Sequence, residues 1–194
     1  IKIMDSLYQK FGKRMFDIFF SIIVIIILSP IFFLTSILIL LEDGYPIFFQ
    51  QDRYGAKRII FILYKFRSMP INTPDLPSAL MKGVKTTLIG KIIRRTNIDE
   101  LPQLINILRG HMSIVGPRPA LANQVDLIKM RTDNYSINLK PGLTGLAQIN
   151  SYNNMSENEK SKFDGIYASQ YSFRFDLIII FHTFKYLLKK PPVY

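Results

Sequence analysis

Asp99 and Glu100 stand side by side in Asp99-Glu100-Leu101-Pro102-Gln103, just downstream of Arg94-Arg95. Proline is tolerated in the first turn of a helix, where its missing N–H costs nothing. The pair is therefore predicted at a helix N-terminus, where backbone donors and the dipole favour carboxylates and bound phosphate alike. Capping is the plain reading, since Thr96 and Asp99 roughly fit a hydroxyl-x-x-acid pattern. The other reading is phosphoryl transfer, in which one carboxylate attacks phosphorus and its neighbour holds Mg²⁺. Gly116-Pro117-Arg118-Pro119 fixes an arginine between two prolines, and its planar fork suits a phosphate. A stiff loop with a solvated arginine would look the same. Lys65-Phe66-Arg67-Ser68 closes a strand-like run, so Lys65 or Arg67 either meets an anion or is a solvated charge. Pro141-Gly142-Leu143-Thr144-Gly145-Leu146-Ala147-Gln148 has two glycines and offers Thr144 and Gln148 as polar, candidate phosphate- or substrate-binding groups; alone, it is a turn. Asp164 and Asp176 fall on helical segments and read as surface acids, and His182 as an interfacial residue.

Much other chemistry is excluded. The 194 residues contain no cysteine, so disulfides, thiolate metal sites and cysteine nucleophiles are absent. Two histidines, His111 and His182, leave little for a His-built metal site or a Ser-His-Asp triad. Neither GxxxxGK nor GxGxxG occurs, and no nucleic-acid reading motif is present. The formal charge is +11 with 48% hydrophobic residues, too apolar for a disordered chain. Catalysis would rest on carboxylates, Lys, Arg, hydroxyls or an oxygen-held metal.

The elements that must position these residues begin with an uncharged run of 24 residues, Ile18 to Leu41. As a helix it is roughly 36 Å long, against about 30 Å of hydrocarbon. It outruns a signal peptide and shows no cleavage site, so it is expected to remain as an anchor. Ser29-Pro30 interrupts it at the middle. Such a helix either kinks and crosses or turns back, and on composition alone crossing is favoured. Acids and bases balance in 1–44, so the whole positive excess lies in 45–194. That basic part calls for anionic partners such as phosphorylated substrates or anionic membrane lipids, or simply for a solvated basic surface. Two units follow, a membrane-associated segment over 1–44 and a catalytic globular domain over 45–194. In the latter, strands are predicted at Ile47–Phe49 and Ile59–Tyr64 about a turn at Gly55, then a proline-rich loop over 70–87. A basic amphipathic helix starts at Leu88, and others cover Ile98–Leu108, Leu121–Arg131 and 156–171. Turns fall at Lys140–Gly142 and Gly145, and an interfacial helix at Leu177–Lys190.

In order, Lys13-Arg14 with Phe16-Asp17, Ser29-Pro30, Phe49-Gln50-Gln51-Asp52-Arg53, Lys65-Phe66-Arg67-Ser68-Met69, Arg94-Arg95, Asp99-Glu100-Leu101-Pro102-Gln103-Leu104, Gly116-Pro117-Arg118-Pro119 and Lys140-Pro141-Gly142-Leu143-Thr144-Gly145 resemble the monotopic phosphoglycosyl transferases, or bacterial sugar transferases. The chain is similar to their small catalytic-core form, like the enzyme that starts bacterial N-glycan assembly. The resemblance implies a helix-rich α+β fold. A re-entrant membrane helix broken at Ser29-Pro30 would join a small cytoplasmic α/β catalytic domain with interfacial amphipathic helices. It implies transfer of a sugar-1-phosphate from a UDP-sugar to undecaprenyl phosphate at the cytoplasmic face of a bacterial inner membrane. Asp99 would carry the phosphosugar after expelling UMP, and Glu100 would hold Mg²⁺. Lys65, Arg94 and Arg118 match positions near the phosphates, and Asp164 and Asp176 match family acids. A homo-oligomer is compatible with this reading, and an N-acetylated amino sugar is the expected cargo. Three departures stand out: Ser151-Tyr152 where Gly-Arg is usual, Glu157 where tryptophan is common, and His111 where an aspartate often follows Gly110. The rival reading is a membrane-tethered binding or scaffolding protein of a glycan assembly pathway that has lost turnover.

Overall fold

A long run of apolar residues satisfies its backbone away from water only by closing every hydrogen bond within itself. In the computed structural model, which describes residues 7–71, 73, 86–150 and 155–187, Lys13–Asp43 forms one α-helix, α1. A π-helical turn, Tyr8–Gly12, leads into it. Helix α1 runs on through Ser29-Pro30, where the resemblance implies a break. The reason is local. Pro30 has no N–H for the carbonyl of Ile26, and the Ser29 hydroxyl donates to that carbonyl instead, at 2.8 Å.

Strand β1 (Phe48–Tyr54) and strand β2 (Ile60–Phe66) form an antiparallel hairpin with Phe48 opposite Phe66 and Tyr54 opposite Ile60. Strand β3 (Ser113–Val115) and strand β4 (Gly142–Thr144) pair in parallel. The predicted turn at Gly142 is therefore a strand. Glycine is required there because a Cβ on Gly142 would lie 2.1 Å from the backbone nitrogen of Gly116. The helices are α2 (Leu88–Arg95), α3 (Gln103–Leu108), α4 (Val125–Asp133), α5 (Leu146–Ile149), α6 (Glu157–Gln170) and α7 (Phe173–Leu187). Ser156 and Glu159 form a reciprocal capping box at the start of α6. Most of the predicted loop over 70–87, Ser151-Tyr152 and the predicted helix end at Lys190 lie outside the described residues.

Phe61, Leu63, Leu104, Ile107, Met112 and Ile179 are buried in the main core, and Phe16, Phe20, Val24 and Ile25 of α1 pack on it. Phe32 touches this core and a second cluster of Ile39, Phe66 and Ile93. Helix α1 thus lies along the domain over its whole length, and polar bonds fasten both ends. Near its start, Asp17 accepts from the Ser113 hydroxyl and the Ile114 N–H, each at 3.0 Å. Arg14 donates to the carbonyls of Ile107 and Leu108 at the end of α3. Asp176, expected at the surface, is fully buried and accepts from Tyr8 at 2.6 Å, Lys13 at 2.7 Å and Tyr167 at 2.7 Å. Near its finish, Arg67 donates to the carbonyls of Asp43 and Gly44, and Glu42 caps the first amides of α2. The remaining face of α1 exposes Phe19, Ile26, Ile27, Phe33 and Leu41, and α7 exposes Phe173, Phe181 and Phe184.

Asp17→Ala strands the Ile114 amide in the core, while the Ser113 hydroxyl keeps the Val115 carbonyl at 3.0 Å. A loss of about 1–3 kcal/mol is expected, read as a lower Tm of the detergent-solubilised chain. An unchanged Tm would show that this carboxylate does not fasten α1.

Candidate active site

Side chains alternate across a strand, so Phe61, Leu63 and Lys65 of β2 share one face. The first two are buried in the core, and Lys65 comes where the core gives way to a cavity. Asn106, fully buried on α3, ties that helix to β2. Its amide oxygen accepts from the Tyr64 N–H at 3.0 Å, and its amide nitrogen donates to the Ile62 carbonyl at 2.7 Å. This clamp sets the distance between β2 and the turn just before α3, which carries the two carboxylates.

That turn is a single 3₁₀ turn, Ile98–Glu100, entered through Asn97 in the left-handed conformation with φ 55°. The helix predicted from Ile98 therefore starts at Gln103. Thr96 does not cap it, because its hydroxyl turns back to the carbonyls of Ile92 and Ile93 and closes α2. The outcome is a tight bend that aims adjacent carboxylates differently. Glu100 Oε1 receives Lys65 Nζ at 2.7 Å and Arg118 Nη2 at 3.0 Å. Asp99 is 9% exposed and lines the cavity with Arg94, Lys65, Arg53 and the aromatic rings of Phe48 and Phe49. The cavity has a volume of about 410 Å³.

The electrostatics split the pair. Burial would push Glu100 up, but the charges of Lys65 and Arg118 and their hydrogen bonds hold it well below the usual carboxylate range. Burial pushes Asp99 up to about 6, against the pull of Lys65; the charge on Glu100 adds to the rise, and Arg94 and Arg118 oppose it. Glu100 is therefore a fixed anion between two cations. Asp99 is desolvated and, once ionised above about pH 6, presents its carboxylate to the cavity. Among the described residues no group of three His, Cys, Asp or Glu gathers to hold a metal. Both cations take the same oxygen of Glu100. This donor set fits Mg²⁺, which binds through one or two carboxylates and completes its shell with substrate phosphates and water.

The structure brings together Lys65, Arg94, Asp99, Glu100 and Arg118. Of these, Glu100 and Arg118 join the cavity lining only through the ion pair of Glu100 with Lys65, and Thr144 and Gln148 have no such link: Thr144 Oγ1 lies 2.7 Å from Thr183 Oγ1, and Gln148 Nε2 reaches the Gly142 carbonyl at 3.5 Å. Arg67 lines the cavity but is no solvated charge, being committed to Asp43 and Gly44. Asp164 is no surface acid either; it is buried against Arg131, which offsets the cost of its charge. His111 packs against the ring of Phe61, and His182 is exposed on α7. Sequence reasoning passed over Asn106, although a lone amide inside Leu104-Ile105-Asn106-Ile107-Leu108 is the signal of a polar clamp on a buried face.

A cationic cavity lined by Asp99, with Glu100 beside it paired to the lining Lys65, suits phosphoryl transfer, and the comparisons specify the class. The family model for bacterial sugar transferases matches residues 8–190, and the chain belongs to that family. It is 37% identical to an exopolysaccharide production protein, ExoY, of Sinorhizobium fredii over 89% of this chain and 83% of the relative. It is 33% identical to an undecaprenyl-phosphate galactose phosphotransferase of Salmonella typhimurium over 96% of this chain and 42% of the relative. It is 34% identical to a UDP-N-acetylgalactosamine-undecaprenyl-phosphate N-acetylgalactosaminephosphotransferase of Aeromonas hydrophila over 96% of this chain and 46% of the relative. The chain thus spans most of the first relative and less than half of the other two.

A raised carboxyl pKa has a stability signature. Folding favours the protonated form of Asp99, so its contribution is favourable below the unfolded pKa near 4 and is lost as pH rises through about 6. Asp99→Asn keeps the shape without the charge. It is expected to stabilise the chain by roughly 2 kcal/mol at pH 8 and by little at pH 4, measured by thermal unfolding. A lower Tm for Asp99→Asn at pH 8 would contradict the assignment.

Proposed function

We propose that this chain transfers a sugar-1-phosphate from a UDP-sugar to undecaprenyl phosphate, through a covalent phosphosugar on Asp99, at the cytoplasmic face of a bacterial inner membrane. The observation that carries this reading is the divided carboxylate pair: Glu100 locked by Lys65 and Arg118, and Asp99 turned into the cationic cavity. The relatives' names supply the substrate classes, and the glucose-1-phosphate transferase of Escherichia coli, 34% identical over 88% of this chain and 39% of the relative, acts on undecaprenyl phosphate and UDP-glucose by its name.

In the first step an Asp99 carboxylate oxygen attacks the phosphorus next to the sugar. A P–O bond forms to Asp99, and the P–O bond to the bridging oxygen breaks, releasing UMP. In the second, a phosphate oxygen of the polyprenyl phosphate attacks the same phosphorus and the Asp99 carboxylate leaves. The product is a polyprenyl diphosphosugar. Lys65, Arg94 and Arg118 neutralise the phosphate charge as it shifts. Glu100 would hold Mg²⁺ together with diphosphate oxygens, and that ion supplies further charge neutralisation when bound. An N-acetylated amino sugar is the cargo we favour.

The membrane arrangement rests on packing. Phe16, Phe20, Phe32 and Ile39 contact the domain along all of α1, and Asp17 and Asp43 are bonded to it near opposite ends. A helix crossing the bilayer would have to carry this charged domain into the hydrocarbon, at a cost far above what its apolar face returns. We read α1 as lying in one leaflet with both flanks on one side. The exposed rings of α7 meet the same surface.

Wild type with UDP-sugar alone should release one UMP per chain and leave a sugar-phosphate on the Asp99 peptide, seen by mass. Turnover should fall by orders of magnitude in Asp99→Asn and be abolished by EDTA. A panel of UDP-sugars assigns the cargo. Near-normal turnover in Asp99→Asn would overturn the nucleophile, and no UMP release with any sugar would favour the scaffolding reading. For topology, cysteines at Lys2 and Asn158 should both label from the cytoplasmic side only, in a chain that has no other cysteine. Labelling from opposite sides would restore the spanning helix.

A further inference from the structure

We infer that Arg131, held by Asp164, is a positioning residue for Arg118. Arg131 and Asp164 are 3% and 2% exposed, on α4 and α6. Two of the guanidinium nitrogens face one carboxylate oxygen, Nε at 2.8 Å and Nη2 at 2.7 Å from Asp164 Oδ2. The third, Nη1, donates to the backbone carbonyl of Arg118 at 2.9 Å. A lysine in that place has one nitrogen and cannot reach both partners in a fixed fork.

The loop that carries Arg118 shows why such a donor is needed. Pro117 and Pro119 have no N–H, so this stretch is secured mainly through its carbonyls. Four in succession are taken. The Gly142 N–H donates to Pro117 at 2.8 Å, Arg131 to Arg118, Arg53 Nη1 to Pro119 at 3.2 Å and the Tyr54 N–H to Ala120 at 3.0 Å. Arg131 supplies the bond at the very residue whose side chain then reaches Glu100. Its base is rigid. Asn134, at the end of α4, donates to the carbonyl and the hydroxyl of Ser161 on α6. A Cβ on Gly165 would lie 3.0 Å from that amide, so the two helices meet closely. A buried ion pair adds little net stability over apolar packing, whereas its geometry sets the backbone of a residue in the site. The chain of bonds runs Asp164, Arg131, Arg118 backbone, Arg118 side chain, Glu100.

The activity arm of the test rests on the function proposed above; a labelling arm does not. In the full-length chain without substrate, the rate at which phenylglyoxal modifies Arg118 is followed by peptide mass. Arg131→Lys keeps the charge beside Asp164 and should keep most of the thermal stability. Yet it should speed Arg118 labelling several-fold, as Glu100→Gln should, and the double variant should be no faster than Glu100→Gln alone. In the UMP-release assay Arg131→Lys should lower kcat roughly tenfold, with no further loss when added to Arg118→Ala. Arg131→Gln should behave likewise where it folds. Wild-type labelling in a folded Arg131→Lys overturns the inference, as does a kcat loss that adds fully to that of Arg118→Ala. If wild type releases no UMP, the function is wrong and the labelling arm still decides.

Discussion

One oxygen of Glu100 receives both Lys65 and Arg118, and much of the domain serves to bring these three side chains together. Lys65 is delivered by the register of a hairpin, Glu100 by a turn between two helices, and Arg118 by a loop with prolines on either side. No two of them come from the same element. The ion pairs hold Glu100 ionised despite its burial, so the proton that this crowded site can hold goes to its neighbour Asp99. Adjacent residues of similar chemistry thereby titrate in different ranges, and the difference arises from where the cations stand.

The same economy governs the membrane segment. Helix α1 is a wall of the domain as well as its attachment. Phe32 joins two core clusters, Arg14 closes α3, and Glu42 and Asp43 hold α2 and the end of β2. Helix α2 carries Arg94, and the end of β2 carries Lys65, so the bonds at the finish of α1 abut both flanks of the cavity. On this account, binding to the membrane surface and assembly of the site are parts of one packing arrangement.

Much of this was legible in the residues. The apolar run, the hairpin, the helices at Leu88 and 156–171 and the cluster of Asp99, Glu100, Arg94, Lys65 and Arg118 follow from periodicity, proline placement and motif resemblance. What escaped was tertiary. Asp164 and Asp176 looked like surface acids because a sequence shows no partner, and each is buried with cations or hydroxyls from distant segments. Gly142 looked like a turn because glycine usually marks one; here it permits close strand approach. The break at Ser29-Pro30 came from the resemblance and not from the residues; the helix runs on there because the Ser29 hydroxyl takes the Ile26 carbonyl, a bond that a sequence does not show.

The central claim is that two adjacent carboxyls titrate apart because two cations share one of them. Carboxyl ¹³C resonances of Asp- and Glu-labelled, metal-free chain, assigned with Asp99→Asn and Glu100→Gln, measure this directly. The account predicts an Asp99 signal that titrates near 6 and a Glu100 signal that stays in its ionised position down to about pH 4. A Glu100 carboxyl that titrates in the ordinary range, with Asp99 ionised throughout, would contradict it.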